Sequence, residues 1–259
     1  MNNDTVNPYS SLLAECNGAL KRASEALQLG LDGMPPVDDV AQLTYVRQQI
    51  QSVVSVALDV HLLVNHQRFQ NVVGLCRIGF ESRIHVYAAM RVPDFAAQKY
   101  LAQAKGNVEV VEEFVAKGIH SPDFRQELER QRKLLDNMRK DFGGVRERKW
   151  KMSEAADASG LKADFEQHYS VLSKAAHNTP SGLASKDDPR ILVSSVLRLF
   201  HDTVEACACL VFFREHDGGA TQPLTKNWAA LVEPVSVLTS EFGELSKRLN
   251  KLLKEEFGE

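Results

Sequence analysis

Residues Ile191 to Phe213 read ILVSSVLRLFHDTVEACACLVFF, and in a helix this run is apolar nearly all round. The preceding Asp187-Asp188-Pro189 is a strong helix start, because an acidic cap and a proline in the first turn both suit a helix N-terminus. A helix that is apolar on nearly every side is central in a bundle. The run is interrupted by the charged or imidazole side chains of Arg198, His201, Asp202 and Glu205. Of these, Arg198, either His201 or Asp202, and Glu205 share a face and are expected to complete a polar interior.

The rest of the chain repeats apolar residues at steps of three and four, which is typical of amphipathic helices. Since only 15 Gly and 9 Pro occur in 259 residues, the sequence predicts an all-α, multi-helix bundle. We expect residues 1–220 to form the bundle domain, with a charged, projecting helical insertion at about 121–150. Residues 221–259 predict a C-terminal amphipathic helix that either closes the core or forms a dimer, the latter slightly favoured. Its heptad seam comprises Leu231, Val235, Leu238, Phe242, Leu245, Leu249 and Leu252.

The composition sets limits on compartment and partners. A net charge of -3 gives no global attraction to nucleic acid or to an anionic membrane. The start Met1 to Asp4 has no secretory pattern, and no apolar run is long enough to span a membrane, so we expect a cytoplasmic protein. The four cysteines are expected to be reduced core thiols.

A polar stripe marks the segment from Tyr169 to Thr179. In a helix, Tyr169, Ser173 and His177 fall at i, i+4 and i+8 on one face, beside an apolar surface. Hydrogen-bonding groups at the margin of a buried helix need partners. A histidine at a helix end also suits the negative end of the helix dipole, so His177 is either a cap or a catalytic base.

A second stripe lies on the helix expected from about Asn71 to Met90. Arg77, Glu81 and His85 recur at i, i+4 and i+8 between apolar residues. The stripe is either a solvated edge, in which the Arg77–Glu81 pair contributes little, or an inward face that meets the first stripe. The apolar flanks support the inward alternative, and the sequence leaves both open.

Residues 125–151 carry ten Lys or Arg against five Asp or Glu. Such a run is usually a solvated face, and the alternative is a surface for RNA or another phosphate-bearing partner.

Three segments carry a family resemblance. They are Leu75 to Ser82 (LCRIGFES), Arg148 to Ser153 (RKWKMS) and His168 to His177 (HYSVLSKAAH). Together they resemble the domain of unknown function 5677 family, a bacterial group of helical proteins, over roughly residues 40 to 215. The resemblance implies an all-helical fold and no established reaction. It also implies a recurring polar set: Arg77, Glu81, Tyr169, Ser173 and His177.

The architecture is also similar, more loosely, to HEPN ribonucleases, whose helices carry an Arg and a His separated by four to six residues. Here Arg77 and His85 are separated by seven residues, and no Arg precedes His177 at that interval.

Two functions follow as hypotheses. In the first, the protein is a metal-independent RNA phosphodiesterase. His177 is the general base, Arg77 holds the phosphate, Glu81 orients Arg77 or His85, and Tyr169 and Ser173 position the RNA chain. The basic segment 125–151 guides the backbone, and no cofactor is needed.

In the second, the protein is a non-enzymatic helical sensor or interaction module. Its polar interior is structural or binds a small anion, and its C-terminal helix makes a homo-oligomer. A carboxylate-bridged metal centre is disfavoured, because no Glu-x-x-His pair occurs in the sequence.

Overall fold

The computed structural model describes residues 7–33, 41–118, 122–176, 188–216 and 226–258. Within these ranges the chain is helical and contains no strand, which confirms the all-α prediction. A short 3₁₀ turn, Phe69–Asn71, precedes α3. The α-helices are α1 (Pro8–Asp32), α2 (Ala41–Asn65), α3 (Val72–Arg91), α4 (Phe95–Ala116), α5 (Pro122–Asp141), α6 (Met152–Ser159), α7 (Lys162–Ala176), α8 (Pro189–His216) and α9 (Lys226–Phe257).

Helix α8 lies at the centre of the bundle, as its apolar sequence predicts. It packs against α1, α2, α3 and α9, and Leu199, Phe200 and Leu210 on it are fully buried. Because its apolar residues point in every direction, each neighbouring helix covers a different side of it. The four cysteines are buried and unoxidised in the same core, as expected.

Helices α6 and α7 lie on the outer side of α3. Gly160 ends α6 with a left-handed backbone (φ 77°), and its Cα faces the guanidinium of Arg91, so a side chain there would collide with it. This tight turn directs the chain into α7. Helix α3 therefore lies between α7 on the outer side of the bundle and α8 at its centre.

Helices α4 and α5 form an arm with a small core of its own. Among the side chains of α5 that the structure describes, only Leu128 and Leu135 are buried, seven residues apart on one stripe, and they pack with Leu101 and Val108 of α4. The charged helix is thus supported along one side rather than projecting alone. The sequence suggests a break or a kink at Gly106, and the structure excludes the break, because α4 continues through this residue.

Helix α9 packs against α1 and α8. Leu238, Leu245 and Leu249 of the heptad seam are buried in the main core of the same chain. The seam therefore closes the protein's own core, while dimerisation and the division at residues 220/221 stay predictions. No helix among the described residues has the length and apolar character to cross a bilayer.

Candidate functional site

Arg77, Glu81 and Tyr169 form a closed triangle of hydrogen bonds between α3 and α7. Arg77 Nε donates to Glu81 Oε1 at 2.7 Å, and Arg77 Nη2 donates to the Tyr169 hydroxyl at 2.9 Å. The same hydroxyl donates to Glu81 Oε1 at 3.0 Å. The spacing of four residues places Arg77 and Glu81 together on α3, and buried Leu172 holds α7 against them. The two stripes of polar residues therefore do meet.

The charges within the triangle balance. The side chains of Arg77 and Glu81 are 20% and 25% exposed, so the pair is only partly screened by solvent. Burial and the neighbouring Glu81 carboxylate raise the pKa of Tyr169. The phenol therefore stays protonated and donates a hydrogen bond to the carboxylate. This arrangement joins two helices and adds no net charge.

His85 lies one turn beyond Glu81 but has different neighbours. Its ring centroid is 6.1 Å from that of Tyr45 on α2 and 6.0 Å from that of Phe95 on α4. Burial, with a smaller effect from nearby Lys99, lowers the pKa of His85 to about 4. The imidazole is therefore neutral near pH 7. Glu81 contacts Arg77, one of the two partners expected for it.

Ser173 and His177 are the remaining two residues of the expected site. Ser173, one turn after Tyr169 on α7, is half-buried and lies outside the triangle of hydrogen bonds. His177 follows the last residue of α7 and lies outside the described residues. The catalytic roles assigned to these side chains stay predictions.

A second and more buried polar network joins α3, α7 and α8. Its centre is Arg83, whose side chain is 4% exposed. Arg83 Nη1 contacts Asp164 Oδ2 and Asp202 Oδ1, each at 3.1 Å, and Arg83 Nη2 contacts Glu205 Oε2 at 3.2 Å. The polar interior predicted from α8 is therefore present, with an arginine of α3 at its centre.

Arg198 completes this network. It donates to Asp202 Oδ1 at 3.1 Å and to Asp164 Oδ2 at 2.8 Å. Burial alone would raise the pKa of Asp164, but the bond from Arg198 and the fields of both guanidinium groups hold it below its ordinary value. Two guanidinium groups thus face three carboxylates, and the Tyr87 hydroxyl donates to the third, Glu205.

Sequence reasoning found the α8 residues of this network and missed Arg83 and Asp164. The available signal lay in the run 191–213, where the carboxylates Asp202 and Glu205 outnumber the single Arg198 and, once buried, need a further cation from a neighbouring helix. Arg83 stands between Ser82 and Ile84 on α3, where it shares no stripe with Arg77.

The basic segment is partly neutralised by carboxylates of its own and of neighbouring helices. Arg130 pairs with Glu127 at 2.8 Å, Arg132 with Glu112 at 2.7 Å, and Arg148 with Glu154 at 3.4 Å. These exposed pairs add little stability, but they lower the charge available to a polyanion. Within the described ranges, no group of three or more His, Cys, Asp or Glu side chains is placed to hold a metal ion.

The fold and these networks define an all-helical bundle protein with a charged interior. Residues 43–189 match the Family of unknown function (DUF5677), and this span is more than half of the 259-residue chain. The chain belongs to that family, as its sequence motifs predict. No curated protein and no solved structure matches it.

Proposed function

We propose that the protein is a non-enzymatic helical sensor or interaction module whose polar interior fixes the register of α3, α7 and α8. The observation that supports this most is the Arg83 network, in which both guanidinium groups and all three carboxylates have partners from another helix. Such internal pairing favours a structural role over a group that awaits a substrate.

The geometry explains how register is set. Arg83 contacts Asp164 of α7 and two carboxylates of α8 at once, so sliding any one helix by a turn would leave a buried charge without a partner. An unpaired buried charge costs several kcal/mol, about 3–5 when one partner of a pair is removed. The network therefore selects one arrangement of three helices that apolar packing alone would allow to slip.

The test compares Arg83→Met with Arg130→Met. Methionine keeps most of the apolar length and removes the charge, and Arg130 is a matched control because its side chain is 74% exposed. We expect Arg83→Met to lower the melting temperature by about 6 °C or more, and the control to shift it by about 2 °C or less. An unchanged melting temperature for Arg83→Met contradicts the proposed structural role.

A second candidate function is metal-independent cleavage of RNA, and one observation favours it. Arg77 and Glu81 of α3 meet Tyr169 of α7 as that site requires, and α7 is the helix that leads to His177. In this candidate Arg77 contacts the phosphate and His177 is the general base. The likeness to HEPN ribonucleases stays a prediction.

One experiment distinguishes the two candidate functions. The wild-type protein and His177→Ala are incubated with a panel of RNAs in the presence of a chelator. Cleavage by the wild type, lost in His177→Ala without a change in melting temperature, supports the enzyme. If no RNA of the panel is cleaved, the non-enzymatic module is supported.

Three further assignments belong to the proposal. RNA is the partner proposed for residues 125–151, a homo-oligomer is proposed through α9, and the cytoplasm is the proposed compartment. Light scattering after gel filtration tests the oligomer, since a monomer at 28.9 kDa contradicts it. Salt-dependent binding of single-stranded RNA, weakened by Lys133→Met, tests the basic segment.

A further inference from the structure

A cleft of about 560 Å³ opens between α2, α3, α4 and the segment that precedes α6. Its volume falls in the range typical of small-molecule sites, about 300–1,000 Å³. Glu81, His85 and Lys99 lie along it, and Tyr45, Tyr100 and Trp150 supply aromatic surface. The cleft therefore adjoins the Arg77–Glu81–Tyr169 triangle but uses mostly different residues.

Lys99 is the unusual cation of this cleft. Its side chain is half-buried, and no carboxylate of the described residues lies within ion-pair distance of its ammonium group. Burial lowers the pKa of Lys99, and the field of Glu81 opposes this only in part. Glu81, the carboxylate whose charge acts on Lys99, already accepts bonds from Arg77 and Tyr169. A half-buried ammonium without a partner is costly, and an anion that enters the cleft would stabilise it.

His85 and Lys149 also favour the binding of an anion in this cleft. The neutral imidazole of His85 can donate one N–H to an anion without bringing a further charge. Lys149 is exposed where the cleft opens, and Arg148 lies over the Trp150 ring at 3.7 Å while pairing with Glu154. Lys99 and Lys149 thus remain as two cations without a carboxylate partner among the described residues.

The rest of the cleft suits a planar, polar group. Tyr100 donates to the Gln48 amide oxygen at 2.9 Å and Trp150 donates to the Gln98 amide oxygen at 2.8 Å, so these two aromatic side chains of the lining are held in place. Gln103 also lines the cleft and offers an amide that can donate and accept. Inorganic phosphate alone would fill a small part of this volume.

We propose that the cleft binds a phosphate monoester of nucleotide size, with Lys99 and His85 holding the phosphate. A phosphate monoester carries about -1.5 to -2 charges at pH 7, which matches the two positive charges of Lys99 and Lys149. The aromatic and amide side chains contact the remainder of the ligand. This assigns a ligand to the module and does not depend on whether the protein is an enzyme.

The test is calorimetric titration of the full chain with AMP, GMP, CMP and UMP, with the corresponding nucleosides and with inorganic phosphate. We expect at least one nucleotide to bind with a Kd of about 100 µM or lower, and its nucleoside at least about tenfold more weakly. No binding of any of the four nucleotides at 1 mM, or equal binding of nucleotide and nucleoside, overturns the proposal.

Two substitutions locate the site. Lys99→Met is expected to weaken nucleotide binding by about tenfold or more, whereas Lys105→Met, on the same helix but paired with Glu147 at 3.1 Å outside the cleft, leaves it unchanged. Lys149→Met changes an exposed side chain that the fold does not need, and is expected to weaken binding about threefold. Unchanged affinity in both cleft variants overturns the proposal, and leaves the structural role of the Arg83 network untouched.

Discussion

Arg83 and Asp202 form an ion pair at 3.1 Å between α3 and α8, with side chains that are 4% and 0% exposed. The residues are 119 positions apart in the chain. Asp202 also accepts a bond from Arg198, so one carboxylate serves two guanidinium groups. The pair is the most deeply buried contact of the polar interior, and the effects of its removal depend on which partner is removed.

Asp202→Ala should destabilise the protein by about 2 kcal/mol, less than Arg83→Met does. After loss of Asp202, Arg83 still contacts Glu205 and Arg198 still contacts Asp164, so two positive and two negative charges remain. After loss of Arg83, one guanidinium faces three carboxylates. Urea denaturation of both variants measures the difference, and Asp136→Ala on α5, 65% exposed, is the control. The reverse order would contradict the charge balance described for this network.

Tyr169→Phe should cost about 1 kcal/mol, because a half-buried hydroxyl that both donates and accepts is lost. Combined with Glu81→Gln, the two changes should be non-additive by about 0.5–1 kcal/mol, since the amide oxygen of glutamine is uncharged and weakens the hydrogen bond that Tyr169→Phe removes. Glu113→Gln, on the exposed part of α4, should add to Tyr169→Phe without coupling. Strict additivity with Glu81→Gln would show that the triangle is not formed in solution.

His85 should make stability fall with acidification. The folded protein holds the pKa of His85 at about 4, below the ordinary value of 6.5. Between these two pH values the unfolded chain binds more protons, so the contribution is complete above pH 6.5, is lost as pH falls, and levels off below about 4. The loss is on the order of 2 kcal/mol after allowance for partial exposure.

Denaturation in urea between pH 7.5 and 4.5 measures this slope in the wild type and in His85→Gln. We expect the substitution to flatten the dependence, because glutamine does not titrate. His66→Gln changes an exposed histidine and serves as the control, with the wild-type slope retained. If His85→Gln keeps the wild-type dependence of stability on pH, a group other than His85 is responsible for it.

Gly79→Ala and Gly106→Ala should have opposite effects on stability. A Cβ at Gly79 on α3 would collide with the Leu199 side chain of α8, and overpacking of this kind costs about 1–3 kcal/mol. A Cβ at Gly106 on α4 meets nothing within 4 Å, so alanine should stabilise the helix by about 0.5–1 kcal/mol. Thermal melting of the two variants distinguishes them, and a shared direction of change would contradict the packing described for α3 and α8.

The sequence predicted the helices well because apolar spacing reports directly on one buried face. Tyr169 and Ser173 lie on helix α7, as the spacing of the first polar stripe predicts, and α8 takes the central place that its apolar run requires. Packing also explains why α4 continues through Gly106, where the sequence suggests a break or a kink. Glycine lowers helix propensity, but the packing of α4 on α5 outweighs a cost of about 1 kcal/mol.

The polar site was harder to predict, because spacing along a helix gives a face and not the neighbour that covers it. Arg77, Glu81 and His85 share a stripe, yet the first two contact α7 while His85 lies against rings of α2 and α4. Arg83 was missed for a related reason. Its partners are 81 to 122 residues away in the chain, and no local periodicity links them.

The family match ends at residue 189, where α8 is only beginning. Asp202 and Glu205 therefore come from outside the matched span, although they neutralise an arginine within it. A fragment made of residues 43–189 alone would lack helix α8. Helix α3 would then have no central neighbour, and Asp164 would be the remaining carboxylate partner of Arg83. Expression of the excised span is consequently expected to yield aggregated chains, and trimmed versions of this protein should retain the sequence through α8.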